Sequence, residues 1–199
     1  MPPRWSLGNF SSRMGYRSQA EVEWVADGYA VKDIPLDALV IDLYWFGPDI
    51  KGHMGNLRWD REAFPDPEGM MRRLRDQGIR TILITEPFVL TTSSRFDEVR
   101  ELDLLGKTAE GEPYIYEFYF GTTGLLDIFK PETRSWFWDI YREYTLSGVG
   151  GWWGDLGEPE VHPEDLYHSL GRSTEVHNLY GHEWARLVAD GYARDFPGE

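Results

Sequence analysis

Four short apolar runs alternate with four segments of helical period along these 199 residues, and that alternation constrains the fold more than any other feature. Trp5 to Phe10 is the first strand candidate. Ser18-Gln-Ala-Glu21 is a capping box opening a helix with Val22, Val25, Ala26 and Tyr29 on one face, ending near Lys32. Ala38 to Trp45, interrupted only by Asp42, is the continuous run that a fully buried parallel strand requires. Asp66-Pro67-Glu68 joins an N-cap to a proline at the first helical position, and this helix runs to Gln77 and stops at Gly78. Ile79 to Thr85 is the third strand, closed by Glu86-Pro87. Pro131 opens a helix containing Trp136, Phe137, Ile140 and Tyr141 that stops at Gly148, and Val149 to Gly154 is a strand ending at Asp155. Ser173 to Ala193 carries Val176, Leu179, Tyr180, Trp184, Leu187 and Val188 at helical spacing.

The order βαβαβαβα predicts an α/β fold with a parallel sheet and right-handed crossovers. Two architectures fit: an open doubly wound sheet, or part of a closed barrel. No glycine-rich phosphate loop follows the first strand, which counts against a nucleotide-binding sheet. Residues 88–130 exceed an ordinary βα loop. The turn at Lys107-Thr-Ala-Glu-Gly111, flanked by Asp103 to Leu105 and Tyr114 to Phe120, predicts a hairpin there. In a barrel this insertion is expected over the C-terminal ends of the strands, where specificity loops lie.

With 34 acidic against 20 basic residues, the net charge of −14 repels phosphate backbones and anionic headgroups, so neither nucleic acid nor membrane is an expected partner. No run approaches the roughly 18 apolar residues of a membrane span, and the start Met1-Pro2-Pro3-Arg4-Trp5 lacks the apolar stretch of a signal peptide. The compartment stays open. Without cysteine the chain has neither disulfides nor thiolate metal sites. Its 9 Trp, 11 Tyr and 10 Phe suit a large core, and equally suit stacking on the C–H faces of sugars.

Acidic residues stand at the ends of three predicted strands: Asp42, Glu86 and Asp155, with Glu158 three residues beyond. A buried carboxylate costs several kcal/mol unless it is partnered. One such acid alone is more often a cap or a salt-bridge partner. Three on parallel strands, beside Trp45 and Trp153, converge in a barrel on the mouth where active sites lie. Carboxylates with aromatics suit glycoside hydrolysis, in which one acid attacks or stabilises an oxocarbenium-like centre and another protonates the leaving oxygen. Spacing alone does not select the pair. His162 and His168 fall in a loop, His177 and His182 lie on different faces of a helix, and there is no His-Glu-x-x-His, so the histidines read as structural and no metal or cofactor is expected. No Gly-x-Ser-x-Gly elbow supports seryl catalysis.

The segment Gly151-Trp-Trp-Gly-Asp155-Leu-Gly-Glu158-Pro159 resembles the nucleophile segment of glycoside hydrolase family 31, the α-glucosidase and α-xylosidase family, usually Trp-x-Asp-Met-Asn-Glu. The order of Pro3-Arg4-Trp5-Ser-Leu-Gly8, Ser12-Arg13-x-x-Tyr16 and Ile34-Pro35-Leu-Asp37 through Asp42 is similar to the family's first two barrel strands. Phe64-Pro65-Asp66-Pro67, Glu86-Pro87 and Asp127-x-x-x-Pro131 match later landmarks, so the resemblance covers essentially the whole chain.

This resemblance implies a (β/α)₈ TIM barrel represented by its first four βα units over residues 1–199, with 88–130 inserted after the third strand. It implies a retaining α-glycosidase with Asp155 as the nucleophile, Asp42 binding distal sugar hydroxyls and Trp153 as an aromatic wall. Met14, Val89 and Leu156 fall at further subsite positions, with Tyr119 in the insertion; Glu158, Glu86 and Trp45 are implied as structural residues near the site. Leu156-Gly157 replaces the usual Met-Asn, and Tyr44-Trp45 replaces Asp-Tyr, which leaves sugar preference open. Gly154 to His162 is similar to members that include 4-α-glucosyltransferases, so transfer is the rival activity, and a non-catalytic carbohydrate-binding half-barrel is a third reading. The expected partners are α-linked glucosides or oligosaccharides. The family's acid/base Asp, a substrate-binding Arg and a substrate-binding His lie on later strands, which implies a fragment without useful turnover alone. Its open strand edges are expected to favour self-association.

Overall fold

The computed structural model describes residues 1–198. In chain order the elements are β1 (Phe10–Arg13), α1 (Gln19–Val31), β2 (Ala38–Ile41), α2 (Pro67–Asp76), β3 (Arg80–Thr85) and β4 (Phe88–Leu90). They continue with α3 (Phe96–Glu101), β5 (Ile115–Phe118), β6 (Gly121–Leu125), α4 (Pro131–Ser147), β7 (Gly151–Gly154) and α5 (Ser173–Asp195). The strand–helix alternation is present, and the chain divides into two compact units.

The first unit holds residues 1–50, 57–85 and 143–153. Its sheet runs in the order β1-β2-β3-β7, with β1, β2 and β3 parallel and in register from Phe10 to Ala38 to Arg80. Side chains alternate across the sheet. Leu39, Ile41 and Leu83 are fully buried, while Ala38, Val40 and Ile82 form a cluster against which the half-buried Trp5 and Trp153 pack. Ser18 caps α1 by accepting the Glu21 N–H at 3.2 Å; the Glu21 carboxylate reaches one residue further back than a capping box requires and accepts the Arg17 N–H at 2.9 Å. Asp66 caps α2 through the Gly69 N–H, and Met70, Met71 and Leu74 bury its apolar face. Gly78 at φ +85 ends it in the left-handed region that favours glycine.

Two boundaries differ from the sequence expectation. Trp5 does not begin a strand: Arg4–Leu7 is a 3₁₀ turn, because the Pro3 carbonyl accepts both the Ser6 N–H at 3.0 Å and the Ser6 hydroxyl at 2.7 Å. β2 ends at Ile41 instead of continuing to Trp45. Asp42 Oδ1 accepts the Leu43 N–H at 2.7 Å and turns Leu43–Trp45 into a second 3₁₀ segment, a local bond that competes with the strand ladder.

The second unit holds residues 51–56, 86–142 and 154–199. Its antiparallel sheet has the order β4-β6-β5, with Phe88 stacked on Phe118 at 4.3 Å. The insertion contains the expected turn at 107–111, where Lys107 bridges Pro113 antiparallel and the Thr108 and Tyr114 N–H groups donate to the Glu112 and Gly106 carbonyls at 2.8 Å, and a second hairpin in which β5 and β6 turn through Tyr119-Phe120. Lys107 also exchanges both backbone hydrogen bonds with Tyr167 at 2.8 Å, and Gly124 lets β6 lie where a Cβ would meet Leu105 at 2.9 Å. Along α5, Val176, Tyr180, Trp184 and Leu187 are buried. Trp184 stacks on Phe137 of α4 and donates its indole N–H to the Tyr141 hydroxyl at 3.1 Å. Among the described residues no helix is long and apolar enough to cross a membrane.

Candidate active site

In the first unit, Asp42 directly follows β2 and continues the parity of Ala38 and Val40, the residues on the Trp153 face of the sheet. Its carboxylate is 7% exposed and caps the 3₁₀ turn behind it, so one oxygen is fixed by the backbone. That turn is anchored by Trp45, which is fully buried and donates its indole N–H to the Ile84 carbonyl at 2.9 Å. Trp45 meets Phe46, Trp59 and Tyr144 edge-on, each at 5.4 Å between ring centres. Its ring offers no face to a sugar, so Trp45 supports the turn that carries Asp42. Tyr44 lies under the Arg17 guanidinium at 4.8 Å, and Met14, 60% exposed, precedes this group in the chain.

In the second unit, Asp155 directly follows β7 and continues the parity of Gly151 and Trp153. The backbone beyond it is held tightly. Leu156 sits at φ +57, a conformation that only a well-braced position retains in a non-glycine residue, and its carbonyl accepts the Glu160 N–H at 3.1 Å. Gly157 lies where a Cβ would come within 2.3 Å of the Trp184 ring, and a Cβ on Gly181 of α5 would come within 2.9 Å of the Gly157 carbonyl oxygen. Both glycines are therefore required by close approach of the backbone to α5.

Burial pushes the Asp155 carboxyl above the ordinary aspartate value, and the negative charge of Glu158 adds to this, while the Leu156 N–H acts in the opposite direction. A half-buried carboxylate with a raised proton affinity and a rigid backbone is suited to nucleophilic attack as well as to proton exchange.

Other residues singled out in the sequence occupy distinct settings. Glu86 is buried directly after β3, Glu158 is exposed, and Leu156 is half-buried. Tyr119 is 61% exposed at the tip of the β5–β6 hairpin, packed against Phe118. Val89 is fully buried in β4, with Gly55 pressed against its backbone, and presents no side-chain surface to a ligand. The histidines pair differently from their spacing in sequence: His162 lies against both His168 and His177. Sequence spacing missed this group because it joins the segment after β7 to α5. Among the described residues no group of three His, Cys, Asp or Glu side chains is arranged to hold a metal ion.

Comparison with known proteins places these features in a family. The model of the glycosyl hydrolases family 31 TIM-barrel domain matches residues 1–199. Alpha-glucosidase 2 of Bacillus thermoamyloliquefaciens is 30% identical over 193 residues, covering 91% of this chain and 24% of that protein. Alpha-xylosidase XylQ of Lactiplantibacillus pentosus is 28% identical, covering 94% of this chain and 24% of its own length. Among solved structures, a family 31 dextranase of Flavobacterium johnsoniae complexed with glucose superposes with a TM-score of 0.89 at 27% identity, over 99% of this chain and 25% of that one. The chain thus spans about a quarter of the length of these relatives. With its parallel sheet, alternating helices and full-length match, the chain belongs to the TIM-barrel domain of glycosyl hydrolase family 31.

Proposed function

We propose that this chain supplies the nucleophile portion of a retaining α-glycoside hydrolase site, as part of a longer enzyme. The observation that carries the reading is the setting of Asp155: directly after β7, half-buried, with Leu156 and Gly157 braced against α5. In a barrel, the ends of parallel strands open on one face, and catalytic acids come from several of them.

One Asp155 carboxylate oxygen attacks the anomeric carbon as the bond to the leaving oxygen breaks. The leaving oxygen keeps the bonding electrons and takes a proton from a general acid supplied by another part of the enzyme. Water then attacks the anomeric carbon while giving a proton to that same group, now acting as base; the ester to Asp155 breaks and the carboxylate is restored. By the family resemblance, Asp42, buried at the end of β2, binds distal hydroxyls of the sugar. Trp153 forms an apolar wall, and Leu156, Met14 and Tyr119 line outer positions. The relatives named as an α-glucosidase, an α-xylosidase and a dextranase support an α-linked glycoside as the substrate class.

The test is incubation with 5-fluoro-α-D-glucosyl fluoride, whose fluoride leaving group needs no general acid, followed by intact-mass analysis and peptide mapping. It is run on this chain and on the longer enzyme. A fluoroglucosyl adduct on Asp155, absent after Asp155→Ala, is the expected result. An adduct on another carboxylate of the longer enzyme would overturn the assignment.

A further inference from the structure

Three histidines and one aspartate in the second unit form a continuous chain from the surface of α5 to the end of β6. His177 Nδ1 lies 3.1 Å from His162 Nδ1, and His162 Nε2 lies 2.8 Å from His168 Nε2. His168 Nδ1 faces Asp127 Oδ1 at 3.3 Å, and both of these side chains are essentially inaccessible. Asp127 is fixed in turn, since its Oδ2 accepts the Ser169 N–H at 2.7 Å. The Phe129 and Tyr180 rings wall the chain, edge-on and tilted against His168 at 5.3 and 5.5 Å, and Tyr180 is tied to the Leu126 carbonyl at 2.7 Å.

The order of the protons on this chain follows from the charge of Asp127 at its buried end. His168 Nδ1 faces the Asp127 carboxylate without forming a hydrogen bond to it, and that negative charge favours a proton over a lone pair at Nδ1, which leaves Nε2 bare. His162 must then donate from Nε2, which leaves its Nδ1 bare. His177 must therefore donate from Nδ1. The two ring-to-ring contacts are then satisfied in this direction, with the Nδ1–H of His168 held towards Asp127 by charge alone. The reverse direction would set a bare nitrogen against a buried carboxylate. A second proton on His162 would place a charge in a half-buried ring between two other imidazoles; burial, then His168 and His177, push its value down to about 4.

We propose that His177, His162, His168 and Asp127 are a one-directional imidazole relay that fixes the segment following Asp155 onto α5. His162 sits at the far end of that segment, and Gly157 against Gly181 and Trp184 holds the near end. Tyr116 adds a third tie by donating to the Val161 carbonyl at 2.9 Å. The relay stands on its own geometry; that it thereby positions a nucleophile rests on the reading of Asp155 given above. These are positioning residues, several positions away from any reacting atom.

Long-range ¹H–¹⁵N spectra of the histidine side chains in this chain at pH 7 read the tautomers directly. The expected result is Nδ1–H for His177, Nε2–H for His162 and Nδ1–H for His168. Averaged tautomers, or a different assignment at any of the three, would overturn the relay. Hydrogen exchange at the Glu160 amide, which donates to the Leu156 carbonyl, reads the fixing of the segment. His177→Leu removes the donor and is expected to speed that exchange roughly tenfold while amides in α1 keep their rates. His177→Asn, whose amide nitrogen lies near the Nδ1 position, is expected to restore most of the protection. Unchanged Glu160 exchange in His177→Leu would overturn the inference. Absence of label on Asp155 of the longer enzyme, with the relay tautomers intact, would instead count against the nucleophile reading alone.

Discussion

Adding one methyl group at Gly28 and at Gly181 makes the same substitution in the interiors of two helices, with opposite expected effects. Alanine is favoured over glycine in a helix interior by about 1 kcal/mol, because it loses less backbone entropy on folding. Around Gly28 of α1 there is nothing within 4 Å of the new Cβ, so Gly28→Ala is expected to stabilise the chain by about that amount. At Gly181 of α5 the Cβ would lie 2.9 Å from the Gly157 carbonyl oxygen, about half an ångström closer than an ordinary contact. That neighbour is backbone, braced by Trp184 behind Gly157, so no side-chain rotation relieves it. Overpacking of this kind costs about 1–3 kcal/mol. Offset by the helix gain, Gly181→Ala is expected to destabilise by roughly 0–2 kcal/mol, leaving the two variants about 1–3 kcal/mol apart. Urea unfolding followed by far-UV circular dichroism measures the difference, a midpoint separation of about 0.5 M or more if the slopes agree. Equal stabilisation by both substitutions would refute the close approach of the segment after Asp155 to α5.

Acid should weaken this fold through His162. Its neighbours are His168, His177, Tyr180 and Asp127, with Glu160 and Glu164 flanking it in sequence. With its value pushed down to about 4, the folded state binds the proton after the unfolded chain does. The stability it contributes is therefore full above about pH 6.5 and is lost as the pH falls towards 4, about 1–2 kcal/mol after allowing for solvent around a half-exposed ring. Asp155, raised by burial, contributes in the opposite sense, its share present at low pH and lost as the pH rises through its value. Urea midpoints at pH 7 and pH 5 should differ in the wild type and converge in His162→Gln; an unchanged pH dependence in that variant would count against a neutral His162. Trp45→Phe deletes a fully buried indole ring and its bond to the Ile84 carbonyl, and is expected to cost about 2–4 kcal/mol by urea titration. A cost under about 0.5 kcal/mol would show that Trp45 does not anchor the turn carrying Asp42.

The elements themselves were legible in the sequence wherever the determinant is local. Ser18 and Asp66 cap the helices they were expected to cap, Gly78 and Gly148 terminate α2 and α4, and the apolar runs at Ala38, Ile79 and Val149 became neighbouring strands of one sheet, the first two of them parallel. Caps and terminators act within one turn, and period-2 runs report their own burial, so neither needs knowledge of distant residues. The boundaries that shifted are those where a side chain or a proline competes with the ladder for a backbone group, as at Pro3 and Asp42. The acids after the strands and the family motif around Asp155 were readable for the same reason: they follow from position along a strand.

What only the tertiary structure decided is which segments, far apart in sequence, share hydrogen bonds and space. Lys107 pairs with Tyr167, 60 positions further along the chain, a bond that no local pattern registers. Trp45 and Val89 proved buried, and no one-dimensional pattern separates an aromatic or branched residue that meets a ligand from one that supports the turn behind it. His162 reaches His177 across 15 residues and from loop to helix, a contact with no period that sequence spacing can register. Gly157 and Gly181 are two unremarkable glycines until the helix lies against the loop; then the missing methyl groups are what allow the Asp155 segment to sit where it does. Local rules determine the elements because they act through neighbouring backbone groups. The setting of the candidate nucleophile is decided by close packing, which depends on the simultaneous position of every partner.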